Sequence, residues 1–192
     1  MNILLDELPE KVTINSTEYA INSDFRTVIK AEILIEKEPK DLIKQVLQLF
    51  FPVLPHNAEQ AVEKFIWFYR CGQCSGSSGS SGSSGQKAYS FEYDGNYIYS
   101  AFFQQYGIDL AKENLHWWQF KALFNSLSED CLFTKIMQYR TAEITSDMPK
   151  KEKERIRKLK RIYALPLSEN EQKRQNEIEN ALMNGGDISR FL

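Results

Sequence analysis

The positions of apolar and polar residues divide this chain into helices before any other property is considered. The densest stretch runs from 115 to 140 and reads as two helices joined by a short acidic turn. Trp117, Phe120, Phe124 and Leu127 recur three and four apart, on one face of the first helix, and Trp118 and Leu123 widen that stripe. A helix apolar over most of its circumference is expected to be buried on more than one side. Ser128 is the expected cap of the second helix, with Glu129 and Asp130 in its first turn. Leu132, Phe133, Ile136 and Met137 repeat an apolar face. Two adjacent tryptophans and three phenylalanines carry a large burial payload, so the rest of the chain is expected to pack around this hairpin.

The remaining elements follow in order. Residues 1–10 read as a short helix or arm ended by Pro9. Residues 11–22 alternate with period two and predict a β-hairpin turning near Asn15 and Ser16. An isolated hairpin is marginal in water, so it must dock on the helices. Asp24 starts a helix over 25–37, closed by Pro39, and Asp41 starts another through Phe50. Asn57 caps a helix over 58–70 whose expected buried stripe is Val62, Phe65, Ile66 and Tyr69. Asp94 caps a helix to Gln105, stopped by Gly107. Residues 141–147 form a loop with a possible brief strand at 142–145. Pro149 is expected at the first helical position of a helix through Ala164. Ser168 caps a polar last helix over 169–183, followed by a tail. The fold class is mostly α: a compact helical domain over 1–166 with a small N-terminal hairpin, and a C-terminal helical arm over 167–192.

Residues 75–85 read SGSSGSSGSSG. A perfect serine–glycine repeat inside a complex sequence reads as a designed linker that replaces a loop or joins two segments. Eleven such residues span roughly 18 Å as a flexible coil, so the chain on either side of them must come close.

Composition narrows the classes. A net charge of −2 points to no particular partner. No apolar run approaches the length of a membrane span, and the acidic N-terminus lacks the basic flank of a signal peptide. Three cysteines, an odd number, fit a reducing compartment, so a cytoplasmic protein is expected. Only two histidines are present, and no serine or cysteine has a triad pattern around it. No Walker loop or dinucleotide fingerprint occurs. Cys71 and Cys74 have zinc-knuckle or redox spacing, but a zinc site needs two more ligands, and the pair closes a helix rather than opening one. No enzyme activity, metal, cofactor or small-molecule substrate is expected. The one electrostatic feature is residues 150–161, with eight basic and two acidic side chains and hence a local net of +6. It lacks the interleaved aromatics of single-strand binders and the recognition helix of a helix-turn-helix, so nucleic acid ranks behind a solvated face or an acidic protein partner.

Four stretches carry a resemblance: Phe91 to Leu110 (FEYDGNYIYSAFFQQYGIDL), Leu115 to Leu127 (LHWWQFKALFNSL), Phe133 to Ile144 (FTKIMQYRTAEI) and Lys150 to Pro166 (KKEKERIRKLKRIYALP). Together they resemble the bacteriophage gene-product-fifteen family of long-tailed phages and prophages of Gram-positive bacteria. In that family a lysine- and glutamate-rich loop commonly stands where the serine–glycine run stands here. The family's genes lie between those of the major tail protein and the tape measure protein. The resemblance therefore implies a tail assembly chaperone for the tape measure protein, working in the host cytoplasm and absent from the mature virion. It implies no catalytic residues. The alternatives are a structural tail or tail-completion component and a nucleic-acid-binding phage regulator. A holdase for an apolar-faced helical cargo needs an apolar groove and many self-associating copies. The partner-contact candidates are Phe102, Phe103, Tyr106 and Trp118, with Lys150, Lys151, Arg155, Lys158 and Arg161 for self-association or acidic partners.

Overall fold

A computed structural model describes residues 2–73 and 87–166, together with helical backbone at Gln172, Asn176, Glu177, Asn180 and Met183. The cap at Ser168, the expected tail and Cys74 lie outside the described residues. The order of elements is β1 (Lys11–Ile14), β2 (Thr17–Ala20), α1 (Phe25–Lys37), α2 (Leu42–Phe50), α3 (Ala58–Tyr69), α4 (Gly95–Tyr106), α5 (Trp117–Asn125), α6 (Leu132–Thr141) and α7 (Lys150–Ile162). The fold is mostly α with one antiparallel hairpin.

The hairpin forms as the alternation dictates. Val12 and Ile14 point into the core, and Ile14 pairs with Thr17. Asn15 (φ 47°) and Ser16 (φ 65°) both occupy the left-handed region, which matches the right-handed twist of the two strands. The exit from β2 then serves α2: the Asn22 backbone N–H donates to the Phe50 carbonyl (2.8 Å) and its side chain to the Leu49 carbonyl (2.6 Å). Two carbonyls left open at the end of α2 are thus satisfied by the hairpin.

At its N-terminus α1 is capped by Asp24, which accepts from the Arg26 N–H (2.8 Å). The same end is stapled to the start of α5. Phe25 N–H donates to the Leu115 carbonyl (3.0 Å), and Trp117 N–H donates to the Ser23 carbonyl (2.8 Å). Arg26 adds bonds to the carbonyls of Leu110 and Glu113.

The central position of α5 is as expected. Phe120 is fully buried and stacks on Phe25 (centroids 4.7 Å) and Phe102 (5.0 Å). Phe124 continues the aromatic layer to Phe91 and Phe133. Both indoles of α5 also reach the end of α3. Trp117 Nε1 donates to the Tyr69 carbonyl (3.0 Å) and Trp118 Nε1 to the Phe68 carbonyl (2.8 Å). Gly72 (φ 72°) turns the chain there, where a Cβ would stand 3.0 Å from the Trp118 ring.

Several boundaries and faces differ from the sequence reading. The buried line of α3 is Ala61, Phe65 and Phe68, while Ile66 is 41% exposed. Every position from 65 to 69 is apolar, so periodicity alone could not choose the phase; Phe50 and Trp118 close on Phe68 and set it. Cys131, not Ser128, caps α6, its sulfur accepting from the Thr134 N–H. Glu129 and Asp130 therefore precede the helix, and Leu132 is exposed. Pro149 occupies the cap position of α7 rather than the first helical one, and the helix ends at Ile162. Residues 142–145 are coil.

Candidate functional site

The sequence candidates fall into three environments. Phe102 is fully buried and Trp118 is 4% exposed, so both are core residues and present no surface to a partner. Trp118 is consumed by the end of α3 through its bond to the Phe68 carbonyl and an edge-on contact with Trp67. Tyr106 is half-buried, its hydroxyl donating to the Leu123 carbonyl (2.8 Å). It locks α4 to α5, and Gln105 beside it bonds the Ser126 carbonyl and the Ser128 N–H.

Phe103 is different. It is 53% exposed and stacks on Tyr99 one turn earlier (centroids 6.2 Å, interplanar 12°). Tyr99 is held in turn by its hydroxyl bond to Asp109 (3.2 Å). Phe103 and Tyr99 form a short aromatic stripe along the outer face of α4, backed by the rigid inner face of Ile98, Ala101 and Phe102.

Lys150, Lys151, Arg155, Lys158 and Arg161 are all exposed on α7. Lys151, Arg155 and Lys158 recur at i, i+4 and i+7 and so share one face. No residue of α7 is buried. The helix is moored to α6 by Tyr163 stacked on Tyr139 and by the Arg140 Nε bond to the Tyr163 carbonyl (2.6 Å).

That arginine is the feature the sequence reading missed. Asp94 was read as a cap, and it does stand at the cap position of α4, but its side chain makes no cap bond. Its carboxylate accepts two bonds from Arg140 (2.6 and 2.8 Å) and one from the Ser90 N–H (2.9 Å). Both partners are buried. Arg140 also donates to the Ala88 carbonyl, so one guanidinium ties together α4, α6, α7 and the chain after the serine–glycine run. The pair is a structural hub.

A second polar cluster lies between α1, α3 and the chain near Tyr89. Burial raises the Glu32 carboxyl above its ordinary pKa, while Lys121 and the hydroxyl of Tyr69 (3.1 Å) pull it back. Burial and the nearby carboxylates raise the Tyr69 and Tyr89 phenols. Burial likewise pushes the Cys71 thiol up to about 11, only partly opposed by Lys121. Cys71 is therefore a protonated thiol and a poor nucleophile or metal ligand at neutral pH. Among the described residues no group of three or more His, Cys, Asp and Glu could hold a metal ion. Among those residues, too, no helix is long and apolar enough to cross a membrane.

A mostly helical protein with a docked hairpin, built on one aromatic core and showing an exposed aromatic stripe and a basic helix, is the class these features define. Its sequence matches the family model described as Bacteriophage Gp15 protein over residues 4–165, and the chain belongs to that family. Comparisons with curated proteins and with solved structures gave no match.

Proposed function

We propose that this phage protein is a tail assembly chaperone that binds the tape measure protein and keeps it soluble while the tail is built, acting by binding alone. Family membership supplies the phage setting. The observation that supports the finer reading best is the Tyr99–Phe103 stripe, an exposed apolar feature on a well-supported helix. Exposed aromatics on a fixed scaffold cost little ordering entropy when they bind. A cargo helix with apolar residues at i and i+4 offers the matching ridge. One stripe buries too little surface for a stable complex, so many copies along the cargo must act together. The basic face of α7 adds a screened attraction for acidic cargo segments or neighbouring copies. In this reading the protein works in the host cytoplasm and leaves before the particle is finished.

Co-expression with fragments of the same phage's tape measure protein, followed by size-exclusion chromatography with light scattering, tests it. The expected result is a soluble complex with several copies per fragment, lost or reduced about tenfold or more in affinity in Phe103→Asp. Fragments that stay insoluble while this protein elutes alone overturn the reading. Stoichiometric amounts in purified virions support a structural tail component instead. Salt-dependent DNA binding abolished by Lys158→Glu and Arg161→Glu supports a nucleic-acid role.

A further inference from the structure

The N-terminal arm and a groove at the start of α2 are chemically matched. In the arm, Leu4 is 87% and Leu5 82% exposed, with Ile3 beside them. A tight turn holds these residues in water: the N–H groups of Leu5 and Asp6 both donate to the Asn2 carbonyl (3.0 and 2.8 Å), and the Asp6 carboxylate accepts from the Asn2 N–H (2.6 Å). Behind the turn, Leu8 packs on the core and the Pro9 carbonyl is bonded by His116 (3.1 Å). The arm is a projecting peg of three aliphatic side chains followed by Asp6 and Glu7. Single exposed aliphatics are ordinary, but three in succession on an anchored turn form an apolar feature of the kind that interaction sites present.

The groove has a volume of about 580 Å³ and an apolar lining that includes Leu42, Ile43, Leu47 and Leu54. Ile43 is 61% exposed at its edge. Its charged walls are Lys40, Lys44 and Asp41, a formal balance of +1. Leu42 and Ala58, the first residues of α2 and α3, both line it, so two helix N-termini add positive partial charge. Asp41 makes no cap bond to offset that charge. The cavity suits an aliphatic segment carrying carboxylates, which is the chemistry of the arm.

The geometry favours a contact between copies. His116, which pins the arm at Pro9, packs on Phe68 (centroids 5.3 Å), near the C-terminal end of α3. The groove lies at Ala58, the first residue of the same helix. Ten residues of helix separate the two, about 15 Å along the axis, whereas Leu4, four residues before the core-packed Leu8, reaches about 14 Å at full extension and less while its turn is kept. We infer that the arm of one copy, residues 3–7, docks in the α2–α3 groove of a second copy, seating Leu4 or Leu5 against Ile43 and Leu54 with Asp6 and Glu7 facing Lys40 and Lys44. Docked in one direction only, the contact is head-to-tail and leaves a free arm at one end and a free groove at the other. Such a contact propagates into open chains or closed rings. It buries little surface per copy, so it is weak and depends on protein concentration. It does not rest on the chaperone reading, since it needs no cargo.

Analytical ultracentrifugation of the full chain across a concentration series tests the inference. Wild type is expected to sediment as a growing series of species. Leu4→Glu/Leu5→Glu, which spoils the arm, and Ile43→Glu, which spoils the groove, are each expected to stay monomeric, with association weakened about tenfold or more. All three positions are exposed, so both variants should keep the wild-type circular dichroism spectrum and melting temperature. The decisive sample is an equimolar mixture of the two. The arm variant retains a groove and the groove variant retains an arm, so the mixture should form 1:1 heterodimers and nothing larger. Wild type that stays monomeric at several hundred micromolar overturns the inference, and so does a mixture that forms no dimer. Arm occupancy within one chain would give the first of these results, and a symmetric interface the second.

Discussion

At the scale of single residues, the interaction with the most at stake is one between residues 46 positions apart. Asp94 was legible as a helix start because its residue type and its place before Gly95 are local facts. Its carboxylate's use was not legible, because nothing near Asp94 in the sequence announces Arg140. Trp118 shows the same limit from the other side. It stands beside the main apolar stripe of α5 and so reads as a contact candidate left over from the core, yet the open carbonyl of Phe68 holds its indole inside. The Asp94–Arg140 pair is buried and carries three further partners: the Ser90 N–H and the carbonyls of Ala88 and Tyr163. Removing one charge leaves the other buried without its counter-ion, which costs about 3–5 kcal/mol. Arg140→Met should therefore lower the stability in urea denaturation by that amount. The double variant Asp94→Asn/Arg140→Met should recover part of the loss, because it removes both charges. A double variant as unstable as the sum of the two single ones would show that the ion pair itself contributes nothing.

At the scale of elements, boundaries were readable where the capping residue was one of the usual side chains and hidden where it was not. Asp24 and Pro39 bracket α1, and Asn57 accepts from the Gln60 N–H at the start of α3. Cys131 at the start of α6 and His116 at the start of α5 are rarer caps. His116 works only when neutral. Its Nδ1 accepts from the Trp118 N–H (3.1 Å) while Nε2 donates to the Pro9 carbonyl, and Gln119 returns a bond to the His116 N–H (3.2 Å). Burial lowers the His116 pKa below its ordinary value, with Pro9 and Glu10 opposing. The folded protein thus resists a proton that the unfolded chain takes up near pH 6.5. The contribution of this cap is complete above about pH 6.5 and is lost as pH falls through the lowered folded-state value. Melting temperatures measured between pH 7.5 and 5 should therefore fall more steeply for wild type than for His116→Asn, which keeps an acceptor at the cap but has no proton to bind. Parallel curves would mean that the imidazole takes up its proton equally in the folded and unfolded states, or is not the cap. At pH 7.5, His116→Ala should cost about 1 kcal/mol, the usual value of a cap.

At the scale of the whole molecule, the serine–glycine run divides the sequence but not the core. Before it lie β1, β2 and α1 to α3; after it lie α4 to α7. The contacts that close the core cross this divide repeatedly. Phe25 stacks on Phe120, Trp117 and Trp118 bond the last carbonyls of α3, and the starts of α1 and α5 share two backbone hydrogen bonds. The chain on both sides of the run also converges on α1, through Tyr69 on Glu32 and Lys87 on Glu36. None of these contacts passes through the covalent connection. Its loss raises the entropic cost of assembly and leaves in place the core contacts among the described residues. Two fragments, 1–73 and 87–192, expressed together should assemble, co-purify at 1:1 and show the circular dichroism spectrum of the intact chain. Neither should fold alone, since each would expose the aromatic face that the other covers. For the same reason, doubling the linker length should destabilise the intact protein by only about 0.6 kcal/mol. Fragments that fold independently and do not associate would mean that the chain consists of two units and that the aromatic layer around Phe120 does not hold them together.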